Sequence, residues 1–129
     1  MANVLCISHE WDLGFEELRE LANAGLRVIP STSAFDAIKH FATRDIDAII
    51  VNRCLPDIEV ADLVTFFRHH SESIPIIMLS NTMPVQNAPS EVDAVMGKHN
   101  CATLLVPTLE VLLKSSAKTD DEGSLAQAA

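Results

Sequence analysis

The sequence predicts an α/β fold, a doubly wound sheet of five parallel strands with helices on both faces. Three observations lead there. The runs Ala48-Ile49-Ile50-Val51 and Ile76-Ile77-Met78-Leu79 are apolar throughout. They lack the alternation of a strand that is wet on one side, so both of their faces must be covered. Between the apolar runs lie stretches with apolar residues at helical spacing. Right-handed crossovers through those helices wind the sheet both ways. The length of 129 residues, 48% of them hydrophobic, suits one domain with its own core.

Each element has its own signal. Val4-Leu5-Cys6-Ile7 reads as the first buried strand. From Trp11 to Ala24, the residues Trp11, Phe15, Leu18 and Ala22 form a helical apolar side, with Gly25 as the stop. Leu26 to Ile29 is the second strand, expected to end at Pro30. Ser33 is placed to cap the next helix, with Asp36 three residues on as the acid of a capping box. That helix sets Ala34, Ala37, Ile38 and Phe41 on one face. Ala48 to Val51 is the third strand, and Pro56 to Glu59 a turn. Val60, Leu63, Val64 and Phe67 line the following helix, where Phe66-Phe67 reads as packing and not as a platform for bases.

Pro75 opens the fourth strand, Ile76 to Leu79. Pro84 and Pro89 argue against a long helix between Asn81 and Ser90, so the fourth helix is expected to be short or absent. Ala94 to Gly97 is the fifth strand. Leu105, Leu109, Leu112 and Leu113 line a last helix, in which Pro107 either lies in the first turn or breaks the helix. The small and polar residues from about Ala117 onward read as a tail. The division is a domain over residues 1–116 and a flexible segment over 117–129.

The net charge of -9 repels phosphate backbones and argues against nucleic acid as a partner. The three cysteines, Cys6, Cys54 and Cys101, form no C-x-x-C pair, and Cys6 reads as an apolar filler in a strand. With no signal-peptide pattern and no apolar run near the roughly 18 residues of a membrane span, a cytoplasmic protein without membrane attachment is expected. Glycines at 14, 25, 97 and 123 are too scattered for a nucleotide-binding loop.

In a doubly wound sheet, ligands gather at the carboxyl ends of the strands, near the switch in strand order. Here those ends carry Ser8, His9, Glu10, Asn52, Arg53, Ser80, Asn81 and Lys98. Glu10 is the one acid on the first of these loops, and Asp57 stands five positions after Asn52. Magnesium usually takes one or two carboxylates plus water, a requirement that these residues meet poorly. His9 has no second histidine at ligand spacing, so no metal and no cofactor is expected. No activated nucleophile stands beside a base, and the chain is not expected to be an enzyme.

With these strand ends in place, about Asn3 to Ser116 resembles the receiver domain of bacterial two-component response regulators, a flavodoxin-like fold. In that family an aspartate after the third strand accepts phosphate; Asn52 stands at that position. The family's acidic metal-binding pair is replaced by Ser8 and His9. The hydroxyl after the fourth strand survives as Ser80, and the lysine after the fifth as Lys98. The aromatic three residues before that lysine is here Val95, and the proline after it is His99. An amide forms no acyl phosphate of the usual kind. The resemblance therefore implies a degenerate pseudo-receiver. It would be a stand-alone signalling protein of a bacterial phosphorelay, acting by phosphorylation-independent protein–protein interaction. The partner would be a protein of the pathway, and the resemblance leaves a homodimer open. The alternative is a non-covalent sensor of an anion or small molecule, with Asn52, Ser80 and Lys98 as its donors.

Overall fold

The computed structural model describes residues 2–8, 15–52, 57–80, 90–97 and 104–114, with residues 15–18 described by their backbone. The order of elements is β1 (Ala2–Ile7), α1 (Phe15–Asn23), β2 (Leu26–Ser31), α2 (Ala34–Thr43), β3 (Ala48–Asn52), α3 (Val60–His70), β4 (Ile76–Ser80), β5 (Ala94–Gly97) and a helix over residues 104–114, here α4. The strands form one parallel sheet in the order β2-β1-β3-β4-β5. The chain reverses its direction of winding after β2, so the switch in strand order falls between β1 and β3.

Strand alternation divides the core in two. Leu5, Ile7, Ile49, Val51, Ile76 and Met78 face α2 and α3, where Ala34, Ala37, Leu63, Val64 and Phe67 meet them. Their neighbours Val4, Cys6, Ala48, Ile50, Ile77 and Leu79 face the other way, against Leu21 of α1 and Leu105 and Leu109 of α4. Every residue of β3 and β4 is buried. This is why those strands read as unbroken apolar runs.

The stop of α1 and the start of α2 fall where the sequence directs. Gly25 takes φ 84 after α1, a left-handed conformation that a side chain would strain. Ser33 caps α2, its hydroxyl accepting the Asp36 N–H at 3.1 Å. The capping box is not reciprocal, because the Asp36 carboxylate accepts instead from the buried Ser31 hydroxyl at 2.8 Å. The aromatic side of α2 closes on α3, with the Phe41 and Phe67 rings 4.9 Å apart and Phe66 edge-on to Phe41 at 6.2 Å.

Two local expectations need correction. Pro30 does not end β2: it lies inside the strand, in register with Cys6. An edge strand pairs on one side only, so a residue without an N–H is tolerated there. In α1, Ala22 is exposed and Leu21 is the buried residue. Of these two neighbours the larger side chain takes the core. For Pro107, where two outcomes were open, the structure settles one: α4 runs through it unbroken. The expected short or absent helix between β4 and β5 falls on residues 81–89, outside the described residues, as do residues 117–129. Among the described residues no helix is long and apolar enough to cross a membrane.

Arg68, in the last turn of α3, closes the amino end of the sheet. Its guanidinium donates to the carbonyls of Glu91 at 2.9 Å, Glu72 at 3.2 Å and Ile74, and to Asp93 Oδ2 at 2.7 Å. The same Asp93 oxygen accepts the Ile76 N–H at 2.7 Å, where β4 begins. A lysine cannot reproduce that planar fork. Arg68→Ala is expected to destabilise the domain by about 2–3 kcal/mol, because it leaves carbonyls and a carboxylate without their donor. Arg68→Lys should recover less than half of the loss. Urea unfolding with an unchanged m-value is the measurement.

Cys6 is buried in β1, and desolvation pushes its thiol from 9.0 up to about 12. The folded protein therefore keeps the proton where the unfolded chain releases it. This contribution to stability is complete below pH 9 and is lost between 9 and about 12. Between about pH 8 and about pH 10, wild type is expected to lose about 1.4 kcal/mol relative to Cys6→Ala, as read by urea unfolding at both pH values.

Candidate functional site

The carboxyl end of the sheet collects the polar residues of otherwise apolar strands. Asn52 closes β3 and is 8% exposed, and Ser80 closes β4 and is 1% exposed. Apart from Ser31, they are the buried polar residues among those described. Both side chains are engaged, as a buried amide or hydroxyl must be to offset its desolvation.

The register places the site residues relative to one another. Ile7 pairs with Val51, so Ser8 comes level with Asn52 one residue further on. Asn52 pairs with Leu79, which sets Ser80 one residue beyond it, and Ser80 pairs with Gly97. The chain beyond Gly97 continues into Lys98, which lies outside the described residues, as do His9, Glu10, Arg53, Asn81 and His99. The structure thus brings Ser8, Asn52 and Ser80 to one edge, around the switch between β1 and β3. Ser8 also continues the ladder to β2, donating its N–H to the Ser31 carbonyl at 2.9 Å. Val95 sits in β5, half-buried against the α2–α3 side of the core.

Asp57 was a candidate to supply a carboxylate near Asn52, and its geometry assigns it elsewhere. Oδ1 accepts the Ala34 N–H at 3.0 Å and Oδ2 the Phe35 N–H at 3.1 Å. The bond from Ala34 holds its carboxyl below the ordinary 3.8, against a smaller opposing effect of desolvation and with help from the Phe35 and Asp57 amides. No local sequence signal marks this contact, since the partners stand 23 and 22 positions away. Ser31 was also missed by sequence reasoning. Its burial depends on Asp36, and the spacing of five lies outside the usual cap patterns.

Among the described residues no group of three or more His, Cys, Asp or Glu is placed to hold a metal ion. A polar groove of about 530 Å3 opens at the other end of the sheet, lined by Thr65, Arg68, His69, Glu72 and Glu91. Its arginine is committed to the carbonyls and carboxylate described above. Chemically, the described part of the strand-end site offers an amide and two hydroxyls. These can donate to and accept from a ligand, but they supply no anionic nucleophile.

No protein-family model and no curated protein matches this chain. Solved structures do. The CheY-like receiver domain protein of Methanospirillum hungatei JF-1 superposes with a TM-score of 0.81 at 15% identity, over 92% of this chain and 98% of that one. Response regulator TrrA of Thermotoga maritima, solved with Mg2+ and BeF, gives 0.75 at 21% identity, over 87% and 99%. NtrX of Brucella abortus gives 0.86 at 18% identity, over 96% of this chain and 29% of that one.

The chain has the receiver fold. Its five-stranded parallel sheet is that of the CheY-like domains. In this receiver fold Asn52 occupies the carboxyl end of the central strand, buried, with Ser8 level with it across the β1–β3 switch.

The titration of Asp57 can be read at its donors. A carboxyl whose folded value is depressed contributes stability above its unfolded value, and that contribution is lost as pH falls through the folded one. The Ala34 and Phe35 amide proton shifts should move together, with a midpoint below 3.8. The shift should vanish in Asp57→Asn. NMR over an acid series checks both.

Proposed function

We propose that this chain is a receiver-fold signalling module of a bacterial two-component phosphorelay that works by binding a protein partner, without phosphoryl transfer and without a catalytic step of its own. The observation that carries the reading is Asn52, an amide buried at the end of β3. Receiver domains hold their acceptor aspartate at that position, by the resemblance drawn from the strand ends. An amide is a poor nucleophile and bears no charge for a metal to neutralise.

Ser8 supports the same reading. It stands level with Asn52 where receiver domains carry an acid, so the pocket has lost the nucleophile together with an expected metal ligand. Asp57 does not make up the deficit, since its two oxygens are engaged on α2. The negative net charge favours a protein partner over nucleic acid.

The test is incubation with acetyl phosphate and Mg2+, or with beryllium fluoride, followed by intact mass and NMR shift mapping. The expected result is no gain in mass and no shift at Ser8, Asn52 or Ser80. A covalent phosphate on any carboxylate would overturn the reading. Saturable shifts at those residues with inorganic phosphate, without a gain in mass, would instead favour a non-covalent anion sensor.

A further inference from the structure

The Asp57 contact does more than a helix start requires. The first N–H groups of a helix have no carbonyl within the helix to bond, and a side chain usually takes one or two of them. In α2 the local cap is already present, with Ser33 accepting the Asp36 N–H. Asp57 then takes the N–H groups of Ala34 and Phe35, and it reaches them from the segment that leads into α3. A carboxylate on those donors also meets the positive end of the helix dipole.

The contact lies at one end of a pair of helices that is also fastened at the other. Phe41, near the carboxyl end of α2, packs against Phe66, Phe67 and His70 of α3, with centroids 6.2, 4.9 and 6.4 Å apart. Asp57 joins the same helices at the carboxyl edge of the sheet, five positions along the chain from Asn52. Between these points α2 and α3 share one apolar cluster with β3.

We propose that Asp57 is a positioning residue, a strap that locks the first turn of α2 to the lead-in of α3 so that both helices move as one body with the strand end at Asn52. This rests on the reading above, in which the domain presents a fixed surface to its partner. The strap gives that surface a joint next to the site which needs no phosphate to set it.

The test compares Asp57→Ala, Asp57→Asn and Ser33→Ala in the full chain by NMR hydrogen exchange near neutral pH, with circular dichroism as the check on folding. In Asp57→Ala, Ala34 and Phe35 should exchange about tenfold faster or more, and the acceleration should extend to Leu63 and Val64. The Asn52 side-chain amide should shift as well. Ser33→Ala removes only the local cap, and its effect should stop within the first turn of α2. Asp57→Asn keeps the shape and loses the charge, and it serves if the alanine variant unfolds. Effects of Asp57 substitution confined to the first turn of α2 would make Asp57 an ordinary cap and overturn the proposal, as would no effect at all. The phosphodonor experiment on the unaltered chain is read independently, so the strap and the docking reading can fail separately.

Discussion

The structure depends on a single constraint: β3 lies in the middle of a parallel sheet and is buried over its whole length. Its backbone groups are satisfied by β1 on one side and β4 on the other. Its side chains have no route to water on either face. A strand in that position can carry polarity only at its ends, and the carboxyl end is where Asn52 stands. The two clusters of the core follow from the same geometry, since alternate residues of β3 must each find a helical cover. Right-handed crossovers send α2 and α3 to one face and leave the other to α1 and α4.

The strand ends are then organised by the winding. At the switch between β1 and β3 the connections leave in opposite directions, the place where such sheets gather ligands. Ser8 and Asn52 border it at the same level. The opposite edge is stitched together, with a polar groove beside the stitch. Arg68 collects loop carbonyls and Asp93 there, joining the end of α3 to the starts of β4 and β5. The carboxyl edge carries the buried polar residues Asn52 and Ser80, and the amino edge is stitched by Arg68.

The fold was legible because its signals are local. The apolar runs of β3 and β4, the stripe of Val60, Leu63, Val64 and Phe67, and the stop at Gly25 each declare themselves within a few residues. The positions of Ser8, Asn52 and Ser80 were legible for the same reason, because the end of a buried strand is a place that sequence can locate. Leu21 was missed in favour of Ala22 because adjacent positions on a short helix differ by only about 100° in facing. Pro30 was read as a strand end because the sequence does not say which strand will be at the edge. Asp57 and Arg68 were illegible in their roles: each bonds backbone groups brought close by the tertiary fold, and backbone groups leave no mark in the sequence.

On the proposed reading, Asn52 and Ser8 are physically consistent with one another. A carboxylate at the position of Asn52 would be a charge at 8% exposure, tolerable where a metal ion and its acidic partners form a balanced cluster. Once the residue level with it is a serine, part of that balance is gone. A carboxylate left there would then face a desolvation penalty with less to offset it. An amide of nearly the same shape fills the same space, keeps an acceptor oxygen and adds donors, and carries no charge. At the strand end Asn52 and Ser8 themselves carry no charge, as the proposed reading requires. What such an end gives up is the large electrostatic change that phosphorylation would supply. If the domain works without phosphate, as proposed, its conformational bias rests on fixed contacts such as the bonds that Asp57 accepts from Ala34 and Phe35.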